Sequence, residues 1–216
     1  MTATIAVLDY GIGNLRSAQK AFQHVGAVAE LTCDKGFVRD ADAVVLPGVG
    51  AFGACMHALR QCGLEDVVHE AVASLRPFLG ICVGMQMLFE GSEEDPHVSG
   101  LGVIPGTVCW IPPGVKRPQM QWNQLRIREP RDPLLDGLGD SPWMYFVHSL
   151  HGVPHDPTEV VATVEYGSSG ASPALNVAFR RGNVCATQFH PEKSATAGLS
   201  LLSNFVHSAA THRRDL

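Results

Sequence analysis

The chain has 216 residues, 45% of them hydrophobic and 17% charged, with a net charge of −5 at pH 7. That length fits one globular domain, two at most, able to bury roughly 70% of its unfolded surface without disulfide or metal staples. The acidic balance argues against nucleic acid as a main partner. No apolar run reaches transmembrane length and the first residues form no basic leader, so no membrane role or export is expected. The ten histidines form no ligand pair, and Cys33, Cys55, Cys62, Cys82, Cys109 and Cys185 have neither zinc-type nor disulfide-type spacing. No metal and no cofactor is expected. Most of these cysteines lie in apolar runs and read as reduced core thiols, which suits the cytoplasm.

In chain order, Thr4 to Leu8 reads as a strand and Leu15 to His24 as a helix. Ala27 to Leu31 and Ala43 to Leu46 read as further strands. From Leu64 to Leu75 the apolar residues Leu64, Val67, Val68, Ala71, Val72 and Leu75 share one helical face, and Pro77 stops that helix. The apolar run Pro77-Phe78-Leu79 follows, leading into Gly80-Ile81-Cys82-Val83-Gly84 and the helical-looking Met85 to Phe89. Alternation of strand and helix marks an α/β fold, a mostly parallel central sheet flanked by helices. After about Gly100 the pattern changes to short strand-like runs: Thr107 to Ile111, Trp143 to His148, Glu159 to Glu165 and Ala174 to Arg180. We expect these to extend the same sheet with antiparallel strands. Asn183 to Phe189 reads as one more buried strand, Ala195 to Ala209 as a closing helix, and residues 211–216 as a tail after a single domain spanning 1–210.

Three segments carry chemistry. The Gly-x-Cys-x-Gly run places Cys82 at the apex of a strand–turn–helix elbow, which projects the sulfur from the sheet and sets it at a helix start that favours thiolate. In His190-Pro191-Glu192, the proline biases His190 towards extended backbone, where residues two apart face the same side. Glu192 can then orient His190 as the base for Cys82, the logic of a nucleophile–base–orienter triad. In Leu46-Pro47-Gly48-Val49-Gly50, glycines on both sides of Val49 free the backbone to turn its amides towards an oxyanion. Those flanking glycines also let the Gly48–Val49 peptide turn, which makes this loop a candidate switch; the plain alternative is a rigid Pro-Gly turn. By contrast, Gly11-Ile12-Gly13-Asn14-Leu15-Arg16 only mimics a dinucleotide fingerprint, since Arg16 stands where a third glycine is needed for helix–strand packing.

Cysteine elbow, oxyanion glycines and His-Pro-Glu together resemble the class I, triad-type glutamine amidotransferases over nearly the whole chain. Within that class, Asp9 to Asn14, Leu46 to Phe52, Gly80 to Gln86, Tyr145 to Ser149 and Gln188 to Ser194 look like the glutaminase subunits of imidazole glycerol phosphate synthases, of histidine biosynthesis. The resemblance implies Cys82 as nucleophile, His190 as general base and acid, and Glu192 as its orienter. It implies an oxyanion hole from Val49, Gly50 and Val83, and glutamine held by Gly48, Gln86, His148, Ser149 and Leu150. It also implies L-glutamine as substrate and a separate (β/α)8-barrel cyclase subunit as the partner in a heterodimer, faced by Asn14, Met120, Trp122, Lys193 and Ser194. Two departures stand out. The family's Pro-His-x-Gly-Trp-Asn segment is here Pro118-Gln119-Met120-Gln121-Trp122-Asn123, and Leu150 replaces a frequent aromatic residue.

Other readings were a glutaminase serving another synthase, such as that for pyridoxal phosphate, a non-catalytic binding subunit of the same fold, and a stand-alone cysteine peptidase or γ-glutamyl hydrolase. The Asp9-Tyr10-Gly11 opening favours the histidine-pathway glutaminase over the first of these. Retention of Cys82, His190 and Glu192 weighs against the second, and the short length against the last.

Overall fold

A computed structural model describes residues 2–13, 15–167 and 172–212. Its main layer is an eight-stranded sheet whose first five strands run parallel. These are β2 (Val28–Thr32), β1 (Thr4–Leu8), β3 (Ala43–Gly48), β4 (Phe78–Cys82) and, from far along the chain, β13 (Val184–Thr187). The sheet continues antiparallel through β12 (Ala174–Arg181), β11 (Val160–Glu165) and the short β8 (Arg126–Ile127). Every residue of β3, β4 and β13 is buried, as expected of strands covered on both faces.

Helices α1 (Leu15–His24), α2 (Lys35–Asp40), α3 (Phe52–Gln61), α4 (Glu65–Ala73), the short α5 (Val83–Met87) and α6 (Ala195–His212) surround this layer. In α1 the buried Leu15, Ala18, Ala21 and Phe22 form one stripe. Phe22 meets Phe205 of α6 with ring centroids 5.9 Å apart, so the first and last helices close on each other. The predicted strands and helices of the first ninety residues all appear, shifted by one or two residues at their ends.

The second half differs from expectation in two respects. Of its four predicted antiparallel runs only β11 and β12 extend the central sheet. The run from Thr107 belongs to β6 (Ile104–Trp110), which lies between β5 (Phe89–Ser92) and β10 (Leu150–Pro154) in a three-stranded sheet. The run Trp143–His148 is β9, which pairs only with β7 (Gln119–Gln124) in a two-stranded ribbon. Alternating burial tells that a strand has one covered face, and not which sheet it joins. The closing helix also runs three residues past Ala209. No glycine or proline interrupts Ala210-Thr211-His212, so Thr211 and His212 are helical, and only 213–216 of the expected tail lie outside the described residues. No described helix is long and apolar enough to cross a membrane.

Candidate active site

Cys82 ends β4 with φ 56° and ψ −115°, a left-handed backbone that a non-glycine residue adopts only under constraint. The constraint is close packing. A β-carbon on Gly84 would lie 1.9 Å from the Leu46 carbonyl oxygen, and one on Gly80 would lie 2.9 Å from the Met85 α-carbon. Only glycine two residues either side of Cys82 lets the chain turn this tightly. The helix that follows starts and ends two residues earlier than the Met85 to Phe89 run indicates. It spans Val83–Met87, and Phe89 already pairs with Ile104 of β6, so the helix dipole at Cys82 comes from a little over one turn.

His190 follows β13, the neighbour of β4, which brings the two distant segments to one edge of the sheet. Its Nδ1 lies 2.8 Å from Glu192 Oε1, with both side chains almost fully buried. The pairing expected from sequence is present, but its cause is different. His190 is extended, whereas Pro191–Lys193 forms a 3-10 turn with proline at its first position, and this turn swings Glu192 back under the imidazole. Burial alone would lower the His190 pKa; hydrogen bonds with Cys82 and Glu192 override it and raise it to about 10. An imidazolium between a sulfur and a carboxylate is what this arrangement favours. Gln188, fully buried, adds an amide 3.8 Å from Cys82 Sγ and accepts from Gln86 Nε2 at 3.0 Å.

Cys82, Gln86 and His190 open into a cavity of about 380 Å3, roomy enough for an amino acid. Val49, Gly50, Cys82, Val83, Gln86, His148, Ser149, Leu150 and His190 line it. Gly48 is placed differently from the expectation. It packs behind the loop, where a β-carbon would lie 2.5 Å from Gly84 N, and it does not line the cavity. Among the partner-facing candidates, Met120 is 62% and Trp122 44% exposed, and Lys193 is exposed at the cavity rim. Ser194 is instead buried. Its hydroxyl donates to His190 O at 2.6 Å and accepts from Tyr145 N at 3.0 Å, so it braces the turn rather than meeting solvent. Asn14 lies outside the described residues.

Two lining or supporting groups escaped the sequence reading. Glu94 places a carboxylate in the cavity wall while accepting from Phe52 N at 2.7 Å. The acidic run Glu93-Glu94-Asp95 just after the elbow was the available signal. Gln119, standing where the family has histidine, is fully buried and pairs across the ribbon with His148. His148 Nδ1 lies 2.7 Å from Leu150 O, and its Nε2 lies 2.9 Å from the Gln119 amide. Burial is the main influence on His148 and lowers its pKa to about 4, so the ring is neutral, donating from Nδ1 and accepting at Nε2. Gln119 must then present its NH2 to the ring, with its oxygen at the amide position that otherwise has no partner.

A pH dependence follows. The unfolded chain protonates His148 below about 6.5 and the folded chain only near 4, so this contribution to stability is complete above the first value and lost on descending to the second. Between pH 7 and 4.5 the wild type should lose about 2–3 kcal/mol more unfolding free energy than His148→Gln. Denaturant titrations at the two pH values measure the difference, and equal losses would refute the neutral assignment.

The class I glutamine amidotransferase family profile matches residues 6–209. The chain belongs to that family and is a glutamine amidotransferase. It is 48% identical over 211 residues, 97% of this chain and 95% of the relative, to imidazole glycerol phosphate synthase subunit HisH of Synechococcus elongatus. It is 47% identical over 209 residues to the HisH subunit of Salinibacter ruber, covering 93% and 92% of the two chains. Within the class, it is of the HisH type. A solved structure described as a glutamine amidotransferase superposes with a TM-score of 0.73 over 95% of this chain and 98% of its own, at 24% identity, a likeness of fold.

Proposed function

We propose that this chain is the glutaminase subunit of an imidazole glycerol phosphate synthase and works in the cytoplasm. The Cys82 thiolate attacks the side-chain carboxamide carbon of L-glutamine, and the carbonyl oxygen becomes an oxyanion. Backbone N–H groups of Val49, Gly50 and Val83 stabilise it, each worth roughly 10²–10³ in rate. His190 protonates the departing ammonia and leaves a γ-glutamyl thioester. The same histidine then deprotonates water, which attacks the thioester and releases glutamate. Glu192 keeps His190 in the required tautomer and stabilises its charged form. Glu94 pairs with the α-ammonium of glutamine, and Gln86, Ser149 and Leu150 hold the rest of the amino acid.

The ammonia passes to a (β/α)8-barrel cyclase subunit, which makes imidazole glycerol phosphate and AICAR for histidine biosynthesis. The exposed face of the β7–β9 ribbon, with Met120 and Trp122, and the rim residue Lys193 meet that subunit. The observation that carries this reading is the presence of Cys82 and His190 in one cavity wall, backed by Gln188 and Glu192, in a chain alike to a HisH subunit over 97% of its length. Copurification tests it. A cyclase barrel should come down with the tagged chain, and glutamine hydrolysis should rise in the complex, most of all when the acceptor is bound. Capture of a different synthase, or equal rates in all three states, would overturn the assignment.

A further inference from the structure

The oxyanion loop is held from behind by two buried donors on separate elements. Tyr10, just past β1, donates its hydroxyl to Pro47 O at 2.6 Å. Cys55, on α3, donates its thiol to Val49 O at 3.2 Å, a close approach for sulfur. Tyr10 is 2% exposed and Cys55 fully buried. Burial is the largest influence on both and raises both pKa values, so both groups keep their protons and remain donors.

In a planar trans peptide the carbonyl and the following N–H point in opposite directions. Fixing Val49 O against Cys55 therefore fixes the Gly50 N–H away from α3, and Gly50 lines the cavity. Fixing Pro47 O in the same way orients the Gly48 N–H. Gly48 itself cannot shift backwards, because even a β-carbon there would lie 2.5 Å from Gly84 N and 3.0 Å from the Tyr10 hydroxyl. The two peptides flanking Gly48–Val49 are thus each tied to a different side chain.

We propose that Tyr10 and Cys55 are positioning residues for the oxyanion hole, clamping the peptides on either side of Gly48–Val49 so that the Gly50 N–H faces the cavity and the Gly48–Val49 peptide is held between two fixed neighbours. The inference rests on the glutaminase reading above. Neither residue touches substrate; both act through the loop. Because the oxyanion exists only beyond the ground state, loosening the clamp should lower kcat and leave KM nearly unchanged.

The test uses the complex with the cyclase subunit. Cys55→Ala should lower kcat about tenfold or more, with KM within about twofold. Cys55→Ser, which keeps a donor at the same place, should recover most of that loss, and Tyr10→Phe, which removes only a hydroxyl, should lower kcat in the same manner. Should Cys55→Ala fail to fold, Tyr10→Phe decides the matter. An active wild type with unchanged kcat in these variants, a rise in KM alone, or a serine variant no better than alanine overturns the clamp and leaves the glutaminase assignment standing. A wild-type complex unable to hydrolyse glutamine overturns both.

Discussion

Cys82→Ala is expected to reduce glutamine hydrolysis in the complex by a factor on the order of 10⁴ or more, because nothing else at the cavity can form the thioester. Of the other cysteines, Cys185 is the informative control. It lies one strand away on β13, and burial pushes its pKa up to about 12, so it stays a protonated core thiol. Cys185→Ala should retain activity at a modest cost in stability. Ammonia release from both variants, after matched circular dichroism, decides the point. Retained activity in Cys82→Ala would sink the thioester mechanism.

His190→Ala should be nearly as damaging as Cys82→Ala, since on the proposed mechanism one imidazole serves as acid and base in both halves of the reaction. Glu192→Gln should be roughly 10- to 100-fold less severe, because the carboxylate orients the ring and stabilises its charge without moving a proton itself. Its Oε1 lies on Nδ1, while its Oε2 has no partner, so the ring is what this carboxylate serves. Single-turnover rates of the two variants separate these roles. Equal losses would mean that Glu192 does more than orient.

Much of the site was legible because its chemistry depends on short local patterns. Glycine two residues either side of Cys82, after an apolar run, could be read directly as a crowded turn, and the β-carbon distances at Gly80 and Gly84 give the reason. His190 and Glu192 were rightly paired on an incomplete argument, since a 3-10 turn rather than extended alternation joins them. What stayed hidden depends on contacts between distant segments. The end of α5 before Phe89 reflects Phe89 leaving the helix to pair with Ile104, and the burial of Ser194 reflects the arrival of Tyr145 from the ribbon. Nothing local to the buried run Asn183 to Phe189 shows that Gln86 and Cys82 close around Gln188. The distribution of the later strands among three sheets is likewise a matter of register between remote pieces.

The position of β13 has a consequence for how the protein is made. β4 with the proposed nucleophile is finished at residue 82, but its neighbour on one side is a strand from residues 184–187, and the proposed base follows at 190. Gln188 reaches Cys82 across 106 residues of sequence. A ribosome-bound chain therefore exposes its reactive cysteine segment long before the strand that completes the site has been synthesised, and pairing so remote in sequence is slow to form. Until then the sulfur has no base beside it and the cavity has only part of its wall. On the proposed mechanism, competence arrives only once residues 184–192 have joined β4, so copies truncated before them would not drain the cell's glutamine.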